Sequence, residues 1–181
     1  MRLFAAVVPP PEVLRHLDEA VEQLRDDAIT WTLPDAWHLT LAFYGEVADD
    51  RVADLTERLR RAAARYQVMR LRLNGAGRFD ERVLWIGCGG PIDDMRRLAR
   101  SCEAAGRRAG APAQTYRRFR PHVTLARARQ PTDLRRYVSG LAQYAGPEWT
   151  ANEIALVRSH LGQGVGRRAR YEAISTFPLA S

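Results

Sequence analysis

Two tripeptides in this 181-residue chain pair an imidazole with a hydroxyl: His38-Leu39-Thr40 and His122-Val123-Thr124. The flanks repeat as well. His38-Leu39-Thr40-Leu41-Ala42-Phe43 matches His122-Val123-Thr124-Leu125-Ala126-Arg127 at His, Thr, the second Leu and Ala, 84 residues apart. An unperturbed imidazole titrates at about pH 6.5, so of two facing histidines one can accept a proton while the other donates one. A threonine two residues along the same strand face, about 6–7 Å away, can donate its hydroxyl to a non-bridging phosphate oxygen. Two imidazoles and two hydroxyls around one anion describe a metal-free phosphodiester site. In-line attack needs a base on the entering oxygen and an acid on the leaving one, on opposite sides of phosphorus, and a twofold-related pair of strands supplies that. A single His-x-Thr would carry little weight, because a strand histidine is usually a satisfied structural residue. The repeat with shared flanks is what points to chemistry. Zinc is disfavoured, since no Asp, Glu or Cys lies within three residues of His122 and only Asp35 lies that close to His38.

The segments around the repeat read as alternating strands and helices. Arg2–Val8 is strand-like; after Pro9-Pro10-Pro11, the residues Val13, Leu14, Leu17, Val21 and Leu24 recur at helical spacing. Trp37–Tyr44 returns to period two. Its alternation sets His38, Thr40 and Ala42 on one face and Trp37, Leu39, Leu41 and Phe43 on the other, and the second copy behaves alike. Asp49-Asp50 opens a second helix with Val52, Leu55, Leu59 and Ala62 inward. Val68–Leu73 and Arg82–Cys88 read as strands around turns at Gly75-Ala76-Gly77 and Asp80-Glu81. A third helix follows Pro91 with Met95, Leu98, Cys102 and Ala105 inward, then a strand over Arg120–Leu125 and a short helix over Asp133–Leu141. Strands near Glu153–Val157 and Tyr171–Phe177 flank a Gly162–Gly166 loop. This order predicts an α+β fold rather than a doubly wound sheet, as one folding unit over residues 1–181.

Composition narrows the chemistry further. All 28 basic residues are arginine, which removes a Walker-type phosphate loop, Schiff-base catalysis and any lysyl-adenylate route to joining nucleic acids. The net charge is +7; between Glu103 and Asp133 there is no acid, while Arg107, Arg108, Arg117, Arg118, Arg120, Arg127 and Arg129 fall there. That segment predicts an anionic partner such as phosphate or RNA, with a solvated arginine-rich loop as the alternative. Tyr116 and Phe119 lie in it, where a nucleobase could stack. Cys88 and Cys102 are too few for a disulfide framework and read as a strand thiol and a buried helix residue. His16 reads as a surface helix residue and His160 as structural. No apolar run approaches a membrane span, and the opening strand stops at prolines, short of a secretory core, so a cytoplasmic protein without membrane contact is expected.

The chain resembles the 2H phosphoesterases, and among them the RNA 2′,3′-cyclic phosphodiesterases also called 2′-5′ RNA ligases. The residues that carry the resemblance are Arg2-Leu3-Phe4-Ala5, the block from Trp37 to Val47, Phe119-Arg120-Pro121-His122-Val123-Thr124-Leu125-Ala126-Arg127, and Arg158-Ser159 with Gly166 and Tyr171. It implies a bilobal fold with two pseudo-symmetric antiparallel sheets flanking a cleft and helices outside. It implies hydrolysis of a terminal 2′,3′-cyclic phosphate to a 2′-phosphate, and reversible ATP-independent 2′-5′ joining of RNA ends, with neither cofactor nor metal. His38 matches the proton donor to the leaving 3′-oxygen and His122 the base that activates water. Thr40 and Thr124 match the phosphate-binding hydroxyls, and Arg127 the arginine that holds the phosphate. Strand parity sets Arg127 on the Leu125 face, so reaching His122 requires a bend or bulge at Ala126, or a side chain that curls round the strand end. Phe43 occupies the corresponding position in the first copy, leaving the anion clamp asymmetric. The expected partner is RNA with 2′,3′-cyclic phosphate ends, tRNA fragments included, bound by a monomer. A 2H enzyme for a small cyclic phosphate or a 2′-5′ oligonucleotide, and a non-catalytic RNA-binding module, are the competing readings. A rate profile that is bell-shaped around neutral pH is expected.

Overall fold

The computed structural model describes residues 1–112 and 118–181. Nine strands and four helices follow one another in it. They are β1 (Arg2–Val7), α1 (Pro11–Glu22), β2 (Thr30–Trp31), β3 (Leu39–Glu46), α2 (Asp49–Ala63), β4 (Met69–Phe79), β5 (Val83–Gly89), α3 (Ile92–Arg108), β6 (His122–Arg127), α4 (Arg135–Leu141), β7 (Ala145–Ala151), β8 (Glu153–His160) and β9 (Arg170–Pro178). The helices follow the apolar spacing of the sequence. Val13, Leu17 and Val21 are the buried stripe of α1, which starts at Pro11, where a missing N–H costs nothing. Asp49 and Asp50 begin α2 and Arg60 and Arg61 end it, matching its dipole.

The strands form two fully antiparallel sheets, β3-β1-β8-β9 and β2-β6-β5-β4-β7. The two sheets are built on one plan. In the first, β1 leads through α1 to the neighbouring motif strand β3; in the second, β5 leads through α3 to the neighbouring motif strand β6. Two of the helices cross to the other sheet. α3 packs against β3 and α2 against β8 and β9, whereas α1 packs against β7 and α4 against β4 and β5. α3, which connects β5 and β6 of the second sheet, therefore covers the first, α1, which leaves β1 of the first sheet, covers the second, and one continuous apolar cluster runs through both sheets and all four helices.

Three features differ from the sequence reading. Gly75-Ala76-Gly77 is not a turn: β4 continues to Phe79 through a register shift between Leu73 and Ala76, and the chain reverses only beyond Asp80, which has φ of 49°. β7 lies where the sequence reading placed no element; it carries Gly146 and Pro147, and it lies at a sheet edge, where proline interrupts no ladder. β2, of two residues, is too short to leave a periodicity. Among the described residues no helix is long and apolar enough to cross a membrane.

Candidate active site

A cavity of about 770 Å³ opens between the sheets, and His38, Thr40, His122, Thr124 and Arg127 all line it. All five residues singled out in the sequence thus meet at one place. His38 sits between the 3-10 turn Pro34–Ala36 and the start of β3. Its ring stacks on Phe4 of β1 at 4.6 Å and meets Tyr171 of β9 edge-on at 5.1 Å. This aromatic wall exists because β1 alternates: Leu3, Ala5 and Val7 enter the main core, while Phe4 and Ala6 form a small separate cluster with Ala155, Val157, Phe43 and Tyr171.

His122 opens β6. Its Nδ1 lies 2.7 Å from the carbonyl oxygen of Arg120, and a carbonyl can only accept, so Nδ1 carries the proton and Nε2 keeps its lone pair in the neutral ring. Phe79 meets this imidazole edge-on at 4.8 Å, and Trp85 lies 6.0 Å away. Trp85 lies across Gly77; a Cβ there would fall 2.2 Å from the indole, so the small residue in β4 is what admits the ring beneath the site.

The register of the motif strands resolves the parity problem. On β6, Ala126 pairs with Leu84 and Thr124 with Trp85, so Leu125 is an extra residue bulged from the ladder. Leu125 and Ala126 are consequently both buried, and Arg127 returns to the His122 face. β3 does the same at the equivalent position: Ala42 pairs with Ala5 and Thr40 with Ala6, leaving Leu41 extra. Strict alternation over Trp37–Tyr44 is therefore corrected at Ala42, which is buried, and at Phe43, which lines the cavity.

The two halves are fastened together at these bulges. Thr32, just past β2, donates its N–H to the Leu125 carbonyl at 2.8 Å, and its Oγ1 lies 2.8 Å from the Thr124 carbonyl and 2.9 Å from that of Leu125. The same Oγ1 accepts the Nε1–H of buried Trp37, the neighbour of His38, at 2.7 Å. A short relay thus links the residue beside one histidine to the backbone beside the other threonine.

Burial governs the electrostatics. Desolvation pulls the His38 pKa down to about 4, with the Ala36 backbone opposing it and the charges of His122 and Arg127 adding to it. His122 is likewise lowered, first by desolvation and then by Arg127 and Arg120, against the stabilising bond to the Arg120 carbonyl. Both cysteines are pushed up to about 12 by burial, which leaves Cys88 and Cys102 inert as nucleophiles near neutral pH. His16 hydrogen-bonds the Tyr144 hydroxyl and His160 pairs with Glu172 at 2.7 Å, and neither is among the residues that line the cavity. Among the described residues no three His, Cys, Asp or Glu side chains gather as a metal ion would require.

The cavity also contains Arg118 and Arg120 of the basic segment, together with Arg2, Thr32 and Phe79, to which the sequence reading gave no part in the site. Arg2 was legible from the alternation of β1, which sets it on the face of Phe4. Phe79 was hidden because the glycines before it read as a turn. Phe119 does line the cavity, whereas Tyr116 and Arg117 lie outside the described residues.

Two imidazoles, each followed by a threonine and presented by equivalent strands of two paired sheets, are the arrangement of a two-histidine phosphoesterase. Residues 9–163 match the 2′-5′ RNA ligase superfamily, and the chain belongs to that family. It is 33% identical over 126 residues to an RNA 2′,3′-cyclic phosphodiesterase of Aeropyrum pernix, covering 67% of this chain and 70% of that one. A Thermus thermophilus protein of the same name is 33% identical over 171 residues, 89% of this chain and 83% of its own. The crystal structure of Escherichia coli LigT in its apo form superposes with a TM-score of 0.80 at 25% identity, over 99% of this chain and 98% of that one. That protein has also been crystallised with 3′-AMP, and the complex superposes with a TM-score of 0.78.

Proposed function

We propose that this protein hydrolyses RNA 2′,3′-cyclic phosphate ends to 2′-phosphates without a metal ion. The observation that carries the reading is the convergence of both His-x-Thr triplets on one cavity, with the tautomer of His122 fixed by the Arg120 carbonyl. The names of the relatives and the 3′-AMP complex of the E. coli protein support the cyclic phosphodiester class. His122 Nε2 takes a proton from water as its oxygen attacks phosphorus; the bond from phosphorus to the 3′-oxygen breaks, and His38 gives its proton to that oxygen. The hydroxyls of Thr40 and Thr124 donate to the non-bridging oxygens and Arg127 neutralises their charge. In the free site both imidazoles are neutral at pH 7. The anionic phosphate raises both pKa values on binding, most effectively where water is most excluded, at His38, and so supplies the acid.

Replacing water by the 5′-hydroxyl of a second RNA gives a 2′-5′ link with the same residues and no nucleotide cofactor, because the strained cyclic ester is itself the activated group. We expect a monomer acting on cleaved RNAs, tRNA fragments among them. The test is turnover, with EDTA present, of a short RNA ending in a 2′,3′-cyclic phosphate, resolving 2′- from 3′-phosphate product. A 2′-phosphate product lost by at least 10³-fold in His122→Ala is expected for removal of an essential base. Full turnover in that variant would overturn the mechanism, activity that vanished in EDTA would overturn metal independence, and turnover only of small cyclic phosphates would transfer the site to that class.

A further inference from the structure

The cavity is more basic than one phosphodiester requires. Arg2, Arg118, Arg120 and Arg127 line it with two imidazoles, and no carboxylate is found among its described lining residues. A single phosphodiester brings one negative charge, and Arg127 already stands beside the second motif. Arg2 stands on the other sheet, beside the residue that pseudo-symmetry makes equivalent to Arg127. Phe43 is the counterpart of Arg127, turned into the cavity by the bulge at Leu41, and the Arg2 guanidinium lies 4.6 Å from the centroid of its ring. The second half thus carries its cation on the motif strand, and the first half carries an aromatic platform with a cation from the neighbouring strand. Arg2 is also left without an ion-pair partner among the described residues. Its register partner is Glu46, but that carboxylate pairs with the Met1 amino group at 3.6 Å. Stacking on a ring holds a guanidinium in one orientation while leaving its edge N–H groups available to an anion.

Resting on the cyclic phosphodiesterase reading, we propose that Arg2, carried on Phe43, binds the phosphodiester on the 5′ side of the terminal nucleotide. The cavity is then built for an RNA chain of at least two nucleotides, with one phosphate between the histidines and the next at Arg2. Its volume of about 770 Å³ lies in the upper part of the roughly 300–1,000 Å³ range of small-ligand pockets.

The experiment compares kcat/KM for a mononucleoside 2′,3′-cyclic phosphate with a free 5′-hydroxyl against a dinucleotide ending in the same cyclic nucleotide. Wild type is expected to favour the dinucleotide, and Arg2→Met to lower the dinucleotide-to-mononucleotide ratio about tenfold, as loss of a charged hydrogen bond does. The loss should appear in KM rather than kcat. Phe43→Leu, which keeps the arginine and removes its platform, should lower the ratio in the same direction by less, and serves should Arg2→Met fold poorly. A dinucleotide with an uncharged methylphosphonate linkage should lose the wild-type advantage and be indifferent to the Arg2 substitution. An unchanged ratio in both variants, whether from equal losses on the two substrates or from none, would overturn the proposal. Failure of wild type to turn over either substrate would instead overturn the cyclic phosphodiesterase reading.

Discussion

At the scale of residues, the decisive property of the site is that both imidazoles are harder to protonate than an exposed histidine. Catalysis by an acid–base pair needs one ring charged and the other neutral, and kcat/KM reports the pKa values of the free enzyme. With His38 at about 4 and His122 below its ordinary 6.5, the form with His38 charged and His122 neutral is most abundant between the two values and falls about tenfold per unit above the higher one. The kcat/KM optimum on a short cyclic-ended RNA is therefore expected below pH 6.5, acid to the neutral optimum that unperturbed imidazoles imply. The profile of kcat reports the complex, where the bound phosphate raises both groups, so its optimum lies at higher pH. A pH series of initial rates separates the two, and a kcat/KM maximum at or above pH 7 would mean that the free site does not desolvate its histidines.

At the scale of elements, the site depends on two paired irregularities. Regular strands would turn Phe43 and Arg127 into the core; one extra residue in each motif strand returns them to the cavity. Thr32 binds the backbone of the second bulge and the indole beside His38 together. Thr32→Val keeps the shape but leaves the buried Trp37 N–H without an acceptor, at a cost of about 1–3 kcal/mol. At about 2–4 °C per kcal/mol for a chain of this size, calorimetry should show the loss in Tm, and Thr32→Ser should restore it. A Tm unchanged in Thr32→Val would show that the relay holds nothing. These details also mark what the sequence could reveal. The convergence of the two histidines and two threonines, and the helices, were legible, because each follows from residue type at a fixed period. Which face Phe43 and Arg127 occupy was not, because a bulge leaves the composition untouched and changes only the register. The strand through Gly75–Gly77 was hidden for a related reason: its glycines answer to the Trp85 ring laid across Gly77, a contact set by tertiary packing.

At the scale of the molecule, the pseudo-symmetry of the sheets raises the question of whether the halves are separable. Two lobes that fold alone would each keep their connecting helices. Here α3, which joins β5 to β6 of one sheet, packs on β3 of the other, and α1, which follows β1 of the first sheet, packs on β7 of the second. The apolar cluster is correspondingly continuous, with Leu3 and Leu41 from one sheet, Leu73 and Val123 from the other, and Leu17, Leu55, Leu98 and Tyr137 from the helices. Detaching either sheet would strip it of a helix and expose that shared interior at about 25 cal/mol per Å² of apolar surface, so neither half is expected to have a stable state of its own. Unfolding is therefore expected as one transition. Urea curves followed by tryptophan fluorescence and by far-UV circular dichroism should coincide, with the van't Hoff and calorimetric enthalpies equal. Fluorescence reports the two halves together, since Trp31 and Trp85 belong to one sheet and Trp37 precedes the motif strand of the other. Two separated transitions would show that the halves are independent domains and that histidine alignment rests on their interface alone. A single one means that the cavity between the sheets is held open by the same core that folds the chain.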